Sequence, residues 1–159
     1  MSETATINPR IVDALYAEAL LLSDEVRHAF APAGRLSGER AGRPVGDDDF
    51  ARVALSSEGL RTTTRMMHAI AWLLNHRAYF MGEISELQLR RHGRLSPVMR
   101  QSDARQLAML APEVATLVET TRRFYDRLLR LEGSWKLADE KMPSALEQLR
   151  ERIERRLAS

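Results

Sequence analysis

The longest hydrophobic repeat of the chain spans residues 50–81, in steps of three and four residues. Large and small side chains alternate along it, with small ones every seven residues, which is typical of a helix face that another helix approaches closely. At 1.5 Å per residue this helix would be about 48 Å long. We expect the face to point into the core. Its residues are Phe50, Val53, Ser57, Leu60, Thr64, Met67, Ala71, Leu74, Ala78 and Met81.

Weaker repeats on either side predict two further long helices. Asn8 and Pro9 form a helix start, because Asn caps free backbone N–H groups and Pro suits the first helical position. The first long helix is predicted over residues 9–30. Pro112 starts the third, which we expect to end at Gly133. A capping box at residues 85–88 predicts a short helix, and a second short helix is predicted over residues 104–110.

The end of the chain predicts a linker followed by an amphipathic helix, together covering residues 133–159. A capping box at residues 144–147 begins this tail helix. We expect the tail to dock on the bundle through apolar side chains; a detached tail that recruits another protein is the alternative. The candidate tail contacts are Trp135, Leu137, Leu146, Leu149 and Ile153.

Residues 31–47 have no hydrophobic periodicity and hold four glycines and two prolines, so we predict a flexible loop there. No stretch of the sequence alternates apolar and polar residues as a strand would. The pattern therefore predicts one all-α domain over residues 1–159, a bundle of three long helices with short additional helices and a C-terminal amphipathic helix.

The composition of the 159 residues is that of a soluble globular protein, with 44% hydrophobic and 29% charged residues. Its pI of about 9.4 exceeds what a net charge of +2 suggests, because 22 of the 24 basic residues are arginine. The chain has no cysteine, no visible secretory signal and no apolar run of about 18 residues, so the expected location is cytoplasmic.

The polar residues show no pattern that indicates catalysis. One Glu-x-x-His pair, Glu25 and His28, occurs, whereas a di-metal bundle needs two such pairs and further inward glutamates. His68 and His76 are eight residues apart on one helix, too far to share a metal ion. We therefore expect no catalytic residues, no metal and no cofactor, and a protein that is not an enzyme.

Arginine clusters raise nucleic-acid binding as an alternative function, because guanidinium groups contact phosphates. Acidic residues are interspersed with them, and no short recognition helix follows a tight turn. The clusters comprise Arg90, Arg91, Arg94, Arg100, Arg122, Arg123, Arg127 and Arg130.

A second stripe on the central helix predicts a protein-binding face. It lies about 100° around the helix from the hydrophobic repeat and is rich in arginine and aromatic residues, which are enriched at binding hot spots. The alternative is ordinary packing, in which the aromatic rings close the edge of the core. The stripe consists of Arg61, Arg65, His68, Trp72, Asn75 and Tyr79.

Two runs of sequence resemble a known family. They are SSEGLRTTTRMMHAIAWLLNHRAYFMGEIS, residues 56–85, and LAPEVATLVETTRRFYDRLLRLE, residues 110–132. Both are similar to the RcdA-like family, named for regulation of CtrA degradation. The resemblance implies a small, non-enzymatic helical bundle, usually dimeric, that acts with other adaptor proteins to deliver substrates to the ClpXP protease. A structural dimer without that role is a further alternative.

Overall fold

The computed structural model describes residues 7–36, 46–141 and 145–157. These residues form six α-helices and a 3-10 turn, with no strand among them, so the all-α prediction is confirmed. No helix in these three ranges is long and apolar enough to span a membrane. The helices are α1 (Pro9–Leu36), α2 (Asp47–Phe80), α3 (Glu86–His92), α4 (Ala104–Ala108), α5 (Pro112–Lys141) and α6 (Ala145–Leu157), and the 3-10 turn is Pro97–Arg100.

Local chemistry starts and ends several helices where the sequence predicts it. The Asn8 carboxamide oxygen accepts a hydrogen bond from the backbone N–H of Ile11 at 3.0 Å. Ser85 and Gln88 form the predicted capping box, with bonds of 3.2 and 2.8 Å. Gly82, with φ of +77°, follows α2 in the left-handed conformation that favours glycine and ends the helix.

Two helices extend further than the sequence predicts. α1 continues to Leu36, so residues 31–36 are helical rather than loop, although Pro32 and Gly34 in this segment are poor helix formers. Residues 37–45 of the predicted loop lie outside the described residues. α5 passes through Gly133 to Lys141, because Glu132 and Trp135 on either side pack against the bundle and offset the weak helix preference of glycine.

The contacts between the long helices fix their directions. Arg77 near the end of α2 pairs with Asp13 near the start of α1 at 3.0 Å, and Gly59 of α2 lies against Phe30 near the other end of α1, so these helices are antiparallel. By contrast, Arg65 of α2 contacts Thr121 of α5, and Trp72, seven residues later in α2, contacts Glu132, which also comes later in α5. α2 and α5 are therefore parallel.

Parallel neighbours need a connection that travels back along the bundle, and residues 93–111, here the return segment, supply it. The segment contains the 3-10 turn and α4. Its backbone meets α2 in reverse order: Met99 lies at Arg65, and Asp103 lies at Glu58. The core is enclosed by α1, α2, α5 and this segment, and its buried apolar members include Val12, Val26, Met66, Leu73, Leu95, Val118, Phe124 and Leu128.

We expect the two interior glycines Gly59 and Gly133 to respond oppositely to alanine. A Cβ on Gly59 would lie 2.8 Å from the Phe30 ring carbon Cδ1, whereas a Cβ on Gly133 would meet nothing within 4 Å. Gly133→Ala should raise the free energy of unfolding by up to about 1 kcal/mol, through helix propensity alone. Gly59→Ala should lower it, because overpacking costs about 1–3 kcal/mol against the same gain.

Urea denaturation of both variants measures this difference, and each serves as the control for the other. Equal stabilisation by the two alanines would contradict the close packing of α1 on α2.

Candidate interaction surface on α2

The hydrophobic repeat that runs along α2 faces outward, away from the core. Leu60 is 70% exposed and Met67 is 64% exposed, and the other large members are 44–69% exposed. The expectation that this face points into the core is therefore wrong. We call the surface the outer stripe; its large residues are Phe50, Val53, Leu60, Met67, Leu74 and Met81, and its small residues are Ser57, Thr64, Ala71 and Ala78.

The opposite face of α2 carries the core contacts, and several of its buried residues are polar or partly polar. Glu58, Arg65 and Trp72, here the inner ladder, recur every seven residues and are 0, 0 and 2% exposed. Each connects α2 to the return segment, directly or through one further side chain. Sequence reasoning placed polar groups outside the core and so missed this face, although the seven-residue spacing was visible.

The Arg65 guanidinium is the most extensively bonded member of the ladder. Its Nε donates to the Met99 carbonyl at 2.7 Å, and Nη2 donates to the Gln101 carbonyl at 2.9 Å and to the Ser102 hydroxyl at 3.1 Å. Nη1 donates to the Thr121 hydroxyl on α5 at 2.9 Å. One side chain therefore joins α2, the return segment and α5.

All four acceptors around Arg65 are neutral oxygens, so its charge is solvated by dipoles. Burial, followed by the nearby charge of Arg122, lowers the pKa of Arg65 to about 10. The group is still protonated at neutral pH, and the hydrogen bonds from its donors offset part of the desolvation cost.

The other two members hold the same segment on either side of the residues that Arg65 binds. The Glu58 carboxylate accepts a hydrogen bond from the backbone N–H of Asp103 at 3.1 Å and pairs with Arg61 at 2.8 Å. The Trp72 indole N–H donates to the buried Glu132 carboxylate at 2.9 Å. The same Glu132 oxygen accepts the Leu95 backbone N–H at 2.9 Å, so one carboxylate of α5 joins α2 to the start of the return segment.

His76 lies one helical turn beyond Trp72 and is 1% exposed. Its Nδ1 is 2.9 Å from the Trp72 carbonyl, and its ring lies against Trp72 and Trp135, with centroids 3.9 and 5.5 Å away. Nε2 is buried without a hydrogen-bond partner among the described residues. Burial lowers the pKa of His76, opposed by the hydrogen bond to Trp72 and by the charge of Glu132, so the neutral ring is favoured.

The protein-binding face predicted from the sequence is not one continuous surface. Arg65 and Trp72 are buried in the inner ladder and cannot meet a partner protein. Of the other four residues, Arg61 and His68 are exposed, and Asn75 and Tyr79 are half-buried. The alternative of edge packing describes Tyr79 better, since its ring lies 6.3 Å from that of Trp135.

The predicted tail contacts are divided between two helices. Trp135 belongs to α5, where it packs against the core, and Leu137 also lies in α5 rather than in a linker. Leu146 lies in α6, and for Leu137 and Leu146 the structure describes the backbone only. Leu149 and Ile153 of α6 are 58 and 53% exposed, so the described part of the tail shows no docked apolar face.

A groove of about 650 Å³ adjoins the outer stripe on the side of the return segment. Leu60 and Thr64 of the stripe form one wall, and Val98, which is 61% exposed, contributes to the other. The apolar surface therefore widens beyond the helix itself. Within the described ranges, no three His, Asp or Glu side chains lie close enough together to hold a metal ion.

Most of the arginines that suggested nucleic-acid binding have carboxylate partners. Arg100 pairs with Asp126 at 3.4 Å, and Arg127 pairs with Glu18. Arg122 and Arg123 share Glu119, at 2.9 and 3.7 Å, and Arg90 pairs with Glu86 at 2.6 Å. Arg91, Arg94 and Arg130 are exposed. Five of the eight charges are thus partly neutralised at the surface, which weakens the case for a phosphate-binding patch.

Comparison with known proteins identifies one family. Residues 3–157 match the model of a family described as proteins of unknown function, DUF1465. No curated protein and no solved structure is detectably similar to the chain.

We expect Arg65→Lys to lower the free energy of unfolding by about 2–4 kcal/mol, because lysine keeps a buried charge but cannot reach acceptors on both sides of the planar fork. Arg27→Lys is the matched control: Arg27 is 74% exposed and pairs with Asp24 on the surface, so its replacement should change stability by less than about 0.5 kcal/mol. Chemical denaturation measures both. Similar small effects would show that Arg65 does not hold the fold.

We also expect His76 to make stability depend on pH. Because its pKa is lowered in the folded state, below about pH 6.5 the unfolded chain binds a proton that the folded chain does not. Stability should therefore fall as the pH falls through this range, by up to about 1.4 kcal/mol per pH unit from this group. Urea midpoints at pH 7.5 and 5.5 should differ less in His76→Gln than in the parent. An unchanged difference would contradict the expectation.

Proposed function

Because the chain belongs to the DUF1465 family, whose function is unknown, we propose a function from its surface: a non-enzymatic interaction module that binds another protein chain through the outer stripe. The observation that supports the proposal is the line of six large apolar side chains along α2, from Phe50 to the C-cap residue Met81, each at least 44% exposed. Scattered exposed apolar residues are normal on a protein, whereas a contiguous apolar surface marks a contact with another molecule.

The shape of the surface supports a helix as the partner element. Large and small side chains alternate on it, and such alternation accepts a helix at close distance, with its side chains between the large ones. The inner ladder holds α2 rigidly against the return segment and α5 from behind. A partner therefore meets a surface that is already ordered, which reduces the entropic cost of binding.

The biological role within the proposal is that of an adaptor in regulated proteolysis. The support is the resemblance of residues 56–85 and 110–132 to the RcdA-like family, whose members help to deliver substrates to the ClpXP protease. In this proposal the protein works in the cytoplasm, where it contacts a ClpXP-type protease and other adaptor proteins. The homodimer expected from the sequence belongs to the same proposal.

We expect Leu60→Glu with Met67→Glu to abolish capture of the protease components, because two carboxylates in the middle of the outer stripe would have to be desolvated on binding. Both residues are more than 60% exposed, so the fold should be kept, as far-ultraviolet circular dichroism can verify. The measurement is affinity capture of ClpX-type and ClpP-type subunits from a lysate of the source cells, quantified by mass spectrometry.

The matched control is Leu21→Glu with Leu87→Glu, which introduces the same charges at positions that are 69 and 60% exposed and lie outside the stripe. This control should capture the protease components as the parent does. Equal capture by both variants would contradict the role of the outer stripe, and the absence of the protease components from the parent capture would contradict the adaptor role.

A further inference from the structure

The groove beside the outer stripe lies between two stretches of sequence that are rich in arginine and poor in carboxylates. One wall belongs to α2, and the other belongs to the return segment over residues 98–103. Residues 59–82 and 87–102 together hold seven arginines and no Asp or Glu. The two carboxylates at the groove are those of Glu58 and Asp103, and both already accept hydrogen bonds from groups of the chain itself.

Arg61 is the exposed charged group at one end of the groove. Its side chain is 44% exposed, and its Nη1 donates to the fully buried carboxylate of Glu58 at 2.8 Å. A guanidinium has five N–H donors, so Arg61 keeps others to offer to a ligand. Asp103 does not compete for them, because its Oδ1 caps α4 by accepting the backbone N–H groups of Arg105 and Gln106 at 2.9 and 3.3 Å.

The charge of Arg65 lies behind the same wall of the groove. Its Nη2 donates to the Gln101 carbonyl and the Ser102 hydroxyl, and both of these residues line the groove. A charge in the protein interior is screened less than one in water, so it contributes to the potential in the groove. The three arginines Arg61, Arg65 and Arg105 against the two carboxylates Glu58 and Asp103 leave a local net charge of +1.

The walls of the groove offer an apolar surface next to this charge. Leu60 is 70% exposed and Val98 is 61% exposed, and Thr64 and Met99 are half-buried between them. The volume of about 650 Å³ lies within the range of about 300–1,000 Å³ that is typical of ligand clefts. None of the lining residues is aromatic, whereas sites for single-stranded nucleic acid stack bases on aromatic rings. The groove therefore suits a protein segment better than a nucleic acid.

We propose that the groove binds a short segment of a partner protein in which an Asp or Glu stands close to a large apolar residue. The apolar side chain lies between Leu60 and Val98, and the carboxylate pairs with the free donors of Arg61, since guanidinium groups match carboxylates in geometry and charge. This inference rests on the proposed function, because the groove adjoins the outer stripe and the segment belongs to the partner that the stripe binds.

The helices of the chain itself do not have the chemistry that the groove requires. α6 has an apolar face, but its 13 residues contain four arginines and three glutamates, so it carries a net positive charge. Between residues 50 and 81, α2 has one carboxylate, Glu58, and that side chain is buried. Charge complementarity therefore favours a different, acidic chain over the tail or a second α2 as the occupant.

Selection from random peptides displayed on phage, with the full chain as the immobilised target, tests the chemistry of the ligand. The peptides are fused through their C-terminal ends, so a free C-terminal carboxylate does not contribute. The enriched peptides should share an Asp or Glu within a few positions of a large apolar residue. Selection of no peptide above background, or of peptides without an acidic residue, would contradict the proposal.

Two variants of Val98 then test whether the selected peptide lies in the groove. Val98→Glu and Val98→Lys both replace an exposed apolar side chain by a charged one, and they differ in the sign of the charge. Fluorescence anisotropy of the labelled peptide should give a Kd at least about tenfold weaker for Val98→Glu than for Val98→Lys. Leu87→Glu is the control, because Leu87 is 60% exposed and lies outside the groove, and it should bind as the parent does. Equal affinities of the two Val98 variants would overturn the proposal.

Competition for the labelled peptide separates the other possible occupants. Synthetic peptides of residues 145–157 and of residues 50–81 represent the tail and a second α2, and a single-stranded oligonucleotide represents nucleic acid. None of the three should displace the selected peptide at concentrations at which the same peptide without its label does so. Equal displacement by any one of them would assign the groove to that competitor and overturn the acidic partner.

The failure of this inference and that of the proposed function are distinguishable, because Val98 lines the groove but lies outside the outer stripe. If the Val98 variants bind the peptide equally but Leu60→Glu with Met67→Glu still loses the protease components, the assignment of the groove alone is wrong. If the peptide binds in the groove as expected but that stripe variant captures the protease components as the parent does, the proposed role of the stripe is wrong.

Discussion

The buried guanidinium of Arg65 is the interaction on which the rest of the structure depends. A parallel arrangement of α2 and α5 requires the chain to return along α2, and the returning backbone has carbonyl groups that need donors away from water. The Nε and Nη2 atoms of Arg65 donate hydrogen bonds to Met99, Gln101 and Ser102, and its Nη1 donates to Thr121 on α5. The guanidinium is a planar group with five N–H donors, more than any other side chain has, so it can bond in several directions at once.

That arrangement determines which surface α2 has left for other molecules. Its inner face is occupied by α1, α5 and the return segment, and the large apolar residues on the opposite face remain 44–70% exposed. α2 is thus a helix with two faces of different use: one holds polar and apolar contacts within the fold, and the other holds an apolar surface suited to a second helix. The adaptor role and the homodimer proposed above both use this second face.

The sequence predicted what depends on neighbouring residues and missed what depends on distant ones. The Asn8 and Ser85 caps, the stop at Gly82 and the all-α class follow from local chemistry. Steps of three and four residues likewise identified the outer stripe, but they cannot say which chain covers a face. The true inner face was hidden because Glu58 and Arg65 look like surface residues until their bonds to the return segment, more than 30 residues away, are known.

Replacing the adjacent residues Met66 and Met67 by glutamate, one at a time, would test the two-faced account of α2 most directly. Met66 is 1% exposed on the inner face, and Met67 is 64% exposed on the outer stripe. The account predicts that Met66→Glu lowers the free energy of unfolding by more than about 3 kcal/mol, because it buries an unpaired carboxylate, whereas Met67→Glu changes it by less than about 1 kcal/mol. Equal losses of stability in the two variants, measured by urea denaturation, would contradict it.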